Sequence, residues 1–141
     1  MPDVKNKGKV RSMICTIATA TVIEIGDLVA ISAGLIIKAT ATSTKVAMAL
    51  QASASGDVKI EVTRGRAEIL MDSSDAFAVT HKGGEYDIAV SGSTGKQTVN
   101  QSGTSYKVIM IDPSQDAGIV DATTNIKCII NRPIDEMLGT V

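Results

Sequence analysis

A chain of 141 residues with 44% apolar and 21% charged side chains is long enough to bury one core and too short for two independent domains. That composition excludes a disordered chain, and 14 basic against 15 acidic side chains, a net charge of -1, exclude an overall positive field for a nucleic-acid backbone. Aromatic residues make up only 2%, so the core must be built from Ala, Val and Ile, a set whose β-branched members suit pleated surfaces.

Residues 1–11 carry Lys5, Lys7, Lys9 and Arg11 between Asn6, Gly8 and Val10, without apolar periodicity, and are expected to form a flexible basic arm. Such a segment is either a solvated terminus or an arm that orders on an acidic partner surface, and these four cations are the candidate contact residues. Residues 12–20 hold too many Thr for a secretory signal. Residues 22–37 are interrupted by Glu24, Asp27, Ser32 and Gly34 and cannot cross a bilayer as a helix, so a soluble protein with no membrane partner is expected.

Period-two alternation is clearest at Val58, Ile60 and Val62, which alternate with Lys59, Glu61 and Thr63. Similar runs cover residues 12–18, 28–32, 35–39, 46–50, 67–71, 86–90, 106–111 and 126–131, which makes about nine short strands. Between them lie Gly-, Ser- and Asp-rich turn clusters, including residues 32–34, 53–57, 81–84 and 91–95. Short strands at this spacing predict an all-β antiparallel barrel or sandwich spanning residues 12–133, with residues 134–141 as a C-terminal tail. Little helix is expected: one turn at 74–79 capped by Ser73 or Ser74, and one at 133–138 opened by Pro133. Cys15 and Cys128 fall within apolar runs and are expected to be free, buried thiols. Residues 35–37 and 108–111 are apolar on both faces of any strand, so something must cover the second face; with a mean hydropathy of +0.18, self-association of cyclic symmetry is one solution.

The chemically suggestive residues all have plainer explanations. His81 is the single histidine and stands in a turn beside Lys82-Gly83-Gly84, which predicts a surface loop. Asp72-Ser73-Ser74-Asp75 lacks the glycine and distal glutamate of a calcium loop and suits a helix cap or strand-ending turn. Ser91-Gly92-Ser93-Thr94-Gly95-Lys96-Gln97 lacks the first glycine and the final hydroxyl of a phosphate loop and reads as a hairpin loop. Asp135-Glu136 reads as solvated charge near a chain end. No catalytic, cofactor-binding or metal-ligating residue is assigned, and neither enzymatic activity nor a cofactor is expected.

Two resemblances remain. Lys45, eleven residues before Gly56, with the Gly26-Asp27-Leu28-Val29 turn upstream, is similar to the modified-lysine hairpin of lipoyl and biotinyl carrier domains. In those domains an acidic residue or Met precedes the lysine where this chain has Thr44, which places this reading second. The order of features from Ile14 to Pro133 resembles the capsid decoration, or cement, proteins of tailed bacteriophages. It is carried by Gly26-Asp27-Leu28-Val29, by Ala39-Thr40-Ala41-Thr42 between two strands, and by the Ala-rich stretch at 46–54. Gly56-Asp57-Val58-Lys59-Ile60-Glu61-Val62 and an Arg-Gly turn complete it. The resemblance implies a β-barrel or β-tulip-like body, commonly trimeric, docked on the major capsid protein at the outer surface of the virion where capsomers meet. Such a protein is made in the host cytoplasm, stabilises the head without catalysis and needs no nucleic acid. Another virion part, a tail or fibre module, is the third reading.

Overall fold

The computed structural model describes residues 11–18, 21–53 and 58–135. These form ten strands: β1 (Ser12–Thr16), β2 (Leu28–Ser32), β3 (Leu35–Lys38), β4 (Ala47–Met48), β5 (Lys59–Thr63), β6 (Glu68–Met71), β7 (Glu85–Val90), β8 (Gln97–Asn100), β9 (Ile109–Ile111) and β10 (Ile126–Ile130). The chain is all-β, and every strand pairing is antiparallel. Three sheets result: β1-β5, β3-β2-β4 and β6-β10-β9-β7-β8.

No sheet closes on itself, but single bridges link the strands into two circuits. The β1-β5 pair touches both edges of the three-stranded sheet, through Ile17 and Ile36 on one side and Ala49 and Val62 on the other. Inside that circuit lie Ile17, Ile23, Val29, Ile36, Ala47, Ala49, Ile60 and Val62, all buried. In the five-stranded sheet the chain just beyond β6 meets β8 through a parallel bridge of Ser73 with Val99. This larger half buries Ile69, Phe77, Ile88, Val99, Ile109, Ile111, Ile126, Cys128 and Ile130.

The two halves share β2. Val29 faces the smaller core, whereas Leu28 and Ala30 face the larger one, which also takes Ala39 and Val46. Side chains alternate along a strand, so a strand lying between two cores must be apolar at consecutive positions. The β2-β3 hairpin turns on Ala33 and Gly34, both at positive φ (52° and 82°), the two-residue geometry that matches strand twist. The stretches expected to need an outside cover find it largely within the chain. Ile36 points into the smaller core while Ile37 packs on the larger one, and Val108, Ile109 and Ile111 are all fully buried. Leu35, near the hairpin tip, keeps partial exposure.

Four expectations are revised. Residues 97–100, which lie outside the nine expected strands, form β8 because their backbone completes the β7 ladder. The run at 106–111 shrinks to β9, since the Asp87 carboxylate takes the N-H groups of Ser105, Tyr106 and Lys107, and Lys107 adopts φ 56°. The turn at 74–79 is not helical: Asp75 bonds across to Gln101, and a single 3-10 turn forms later at Val79–His81. Pro133 pairs with Val46 in a bridge and the Ile134 N-H bonds the Val46 carbonyl, so the chain is still tied to the body where a helix was expected. Residues 136–138 of that expected helix lie outside the described residues.

Candidate interaction surface

The antiparallel register of β1 and β5 sets Ser12 opposite Thr63, so the residues just outside the ladder, Arg11 and Arg64, meet as well. The Arg64 N-H donates to the Arg11 carbonyl at 2.8 Å. The next residue, Gly65, has φ 72°, and the Arg11 guanidinium lies over it so closely that a Cβ there would stand 2.5 Å from Nη2. The positive φ is what favours glycine at this turn, since the tip of the exposed Arg11 side chain would only have to swing aside to admit a Cβ. Asp135 closes the turn from the other side, accepting the Gly65 N-H at 2.9 Å and facing the Arg64 Nε at 3.4 Å.

Arg66 follows on the same turn and donates through Nη2 to the Asn131 Oδ1 at 2.9 Å. Asn131 is itself fixed, donating through its side chain to the Lys107 carbonyl at 2.8 Å and through its backbone to the Val108 carbonyl. Arg132 comes next in the chain, and with Arg66, Glu85, Asn131 and Pro133 it lines an open groove of about 410 Å³. Arg11, Arg64, Arg66 and Arg132 are all the arginines of the chain. All four are exposed, and the fold collects them around one turn. Among the described residues only Arg64 of the four has a carboxylate within ion-pair distance.

Of the expected contact residues, Arg11 is thus at the root of the arm but bonded to the body, while Lys5, Lys7 and Lys9 lie outside the described residues. The expected boundaries move accordingly: Arg11 belongs to the β domain, and so do Ile134, which packs against the smaller core, and Asp135. Asp135 is no free solvated charge; Glu136 lies outside the described residues. Large apolar side chains are also exposed on the strands that carry the turn, with Ile14 of β1 70% and Val58, just before β5, 62% accessible.

The other singled-out residues serve the fold. His81 is half-buried rather than on an open loop; its Nδ1 accepts the Ala78 N-H at 3.0 Å and its ring meets Phe77 and Tyr86 edge-on. Asp72-Ser73-Ser74-Asp75 is the strand-ending turn expected of it: Asp72 pairs with Lys96 at 2.6 Å, Ser74 bonds the Val99 carbonyl, and Ser102 bonds the Asp75 carboxylate. The Lys96 contact, aided by the Asn125 N-H, holds the Asp72 carboxyl below its ordinary pKa. The Ser91 to Lys96 stretch closes the β7-β8 hairpin with the Ser91 N-H on the Lys96 carbonyl, and its lysine is held against Asp72. Lys45 is half-buried in a bend leading into β4, on the wall of a groove of about 570 Å³ shared with Ile31, Ile37, Thr42 and Ile134. Both cysteines are free thiols, but only Cys128 is buried as expected, within the larger core, while Cys15 on β1 is half-buried against the smaller one; burial, with Asp112 adding to it, pushes the Cys128 thiol to about 12. No group of three or more His, Cys, Asp or Glu side chains among the described residues is arranged to hold a metal.

A role of the glutamines went unseen in the sequence. All four, Gln51, Gln97, Gln101 and Gln115, turn the side-chain amide onto backbone groups of another segment. Gln97 is the most deeply engaged, with its Oε1 accepting the Leu28 N-H at 2.8 Å and its Nε2 donating to the carbonyls of Leu28 and Ala39. The pairing of segments distant in the chain makes these contacts, and for Gln97 the pairing of the two halves, so no local sequence signal announces them.

Comparison of the chain with protein-family models, with curated proteins and with solved structures yields no match.

Proposed function

We propose that this chain is a structural virion protein that docks on the outer surface of an assembled bacteriophage capsid and stabilises it by clamping neighbouring capsomers. One observation carries the reading: Arg11, the last residue of the expected basic arm, is held by its backbone bond to Arg64 on the β body, at the place where all four arginines gather. A body with a charged corner suits a clip, in which the body sets position and the expected arm of residues 1–11 reaches across a joint. Ile14 and Val58 supply apolar contact area on the strands leading into that corner. Such a clip binds the closed, expanded shell better than separated capsomers and shifts the balance toward the shell by that difference alone, with no reaction. Repetition over a symmetric shell turns modest single contacts into firm attachment.

The body of one chain covers most of its own two-faced strands, so the proposed homotrimer rests on the resemblance rather than on uncovered apolar faces. The test is to mix the purified protein with expanded capsids that lack it, then measure bound copies by sedimentation and the temperature at which shells rupture. Saturable binding with a raised rupture temperature is expected, and failure to bind shells at any stage of maturation would overturn the proposal. Removing residues 1–10, which leaves Arg11 and its backbone bond in place, is expected to weaken that binding, most at low salt, without lowering the unfolding temperature.

A further inference from the structure

The arginine corner is more than a source of diffuse charge. Four guanidinium groups share one turn and its neighbour at 131–132, with Asp135 the single carboxylate paired to them among the described residues. Gathering like charges is unfavourable in the free protein, and the chain, with a net charge of -1, has acidic residues enough to have neutralised them. Arg66 is also held in place. Its bond to Asn131, itself anchored to the Lys107 carbonyl, fixes one edge of the guanidinium, and Arg132 lines the same groove. With Nη2 on Asn131 and 3.9 Å from the Met110 Sδ, the guanidinium is held in place and leaves its Nη1 and Nε hydrogens as charge-assisted donors to a carboxylate.

We propose that this groove is the receptor for an acidic segment of a partner protein, whose carboxylates seat on Arg66 and Arg132 with Arg11 at the rim. The inference rests on the docking reading for its setting and names the partner's chemistry. A protein segment suits the groove better than a nucleic acid for two reasons on the surface itself. Glu85 lines the groove and Asp135 stands at its turn, so the surface carries both signs of charge, which a protein segment can meet with side chains of either sign and a uniformly anionic phosphate chain cannot. The four arginines also form a compact corner rather than a track along a backbone, and none of the groove-lining residues is aromatic, so bases have no platform to stack on.

The experiment uses the full chain and a fluorescein-labelled peptide of about ten Glu and Asp residues, followed by anisotropy at about 50 and 150 mM salt. A labelled single-stranded oligonucleotide of equal charge forms the parallel arm. Saturable peptide binding tighter than that of the oligonucleotide is expected. Arg132→Gln and Arg66→Gln are each expected to weaken the peptide about tenfold, or about 1.4 kcal/mol. Lys127→Gln on β10, the same change in net charge at an exposed site away from the groove, is expected to leave binding within about twofold. The Arg132 guanidinium carries no hydrogen bond to the described residues, so its variant keeps the body intact and guards against misfolding of Arg66→Gln. Absent peptide binding, equal loss in Lys127→Gln, or tighter binding of the oligonucleotide would each overturn the proposal. Peptide binding without shell binding would sustain the groove and remove the capsid. Shell binding that survives both arginine changes would sustain the capsid reading and remove the groove.

Discussion

Replacing Gln97 tests how the two halves of the molecule are held together. Beyond the end of the β2-β3 ladder the strands separate, and the bond that the Leu28 N-H would make to the Ala39 carbonyl is replaced by the inserted amide of Gln97. Its Oε1 takes that N-H at 2.8 Å, and its Nε2 reaches the Leu28 carbonyl at 2.8 Å and the Ala39 carbonyl at 3.0 Å. Gln97 belongs to β8, so a side chain of the five-stranded sheet finishes the ladder of the three-stranded one. The Leu28 carbonyl retains the Ala39 N-H at 2.9 Å, but the Leu28 N-H, on a residue only 2% exposed, keeps no partner among the described residues once the amide is gone. One stranded buried donor costs about 1–3 kcal/mol and the lost bonds to carbonyls about 1 kcal/mol more. Gln97→Ala is therefore expected to lower unfolding free energy by about 2–4 kcal/mol in urea titrations followed by circular dichroism, with an unchanged denaturant slope. Gln97→Glu keeps the acceptor but sets a carboxylate against two carbonyl oxygens, which favours the protonated form in the folded state, so its deficit is expected to shrink as pH falls toward about 4 and the carboxyl gains a proton. A loss under about 0.5 kcal/mol for Gln97→Ala would refute the reasoning, showing that water substitutes for the amide and that the halves are held by apolar contact alone.

Asp87→Ala removes the acceptor of three backbone N-H groups, at Ser105, Tyr106 and Lys107, and is expected to cost about 3 kcal/mol or more, with fast amide hydrogen exchange confined first to that loop. The carboxyls of Asp72, held down by Lys96, and Asp112, held down by the Ser114 N-H and hydroxyl, have folded-state pKa values below the ordinary 3.8. The stability they contribute is present above that value and lost as pH falls through the folded-state values. Acid titration of unfolding should therefore show a decline below about pH 4 that is shallower in Asp72→Asn, and an unchanged profile in that variant would count against the Lys96 pairing. Cys128 is buried with its thiol pushed to about 12, and burial raises that of Cys15 less completely. At pH 8 a disulfide reagent is expected to modify Cys15 slowly and Cys128 only on unfolding, as peptide mapping would show.

Most strands were legible because their apolar residues alternate against charged or hydroxyl neighbours, as Ile60 and Val62 do against Lys59, Glu61 and Thr63. β8 was hidden because Gln97-Thr98-Val99-Asn100 offers one apolar residue. Its polar side chains look like loop chemistry, yet Gln97 is spent on the backbone of Leu28 and Ala39, and the Asn100 Oδ1 accepts from the Ser74 hydroxyl. The shortened β9 has the same origin, since nothing near residue 106 in the sequence signals that Asp87, nineteen positions earlier, captures its N-H.

The basic arm could be listed from the sequence, but the arginine corner could not. Arg11, Arg64, Arg66 and Arg132 are scattered along the chain, and they meet only because the β1-β5 register sets Arg11 beside Arg64 while β10, paired with β6, leads out past Arg66. Consecutive apolar residues likewise establish that a strand is covered on both faces without revealing by what. For β2 the cover is a second core of the same chain. Composition and period determine which backbone is extended and which side chains avoid water, because those are local preferences of each residue. Which sheet a strand faces, and which charges it brings together, depends on register and on the pairing of distant segments, and that was decided only when the chain closed on itself.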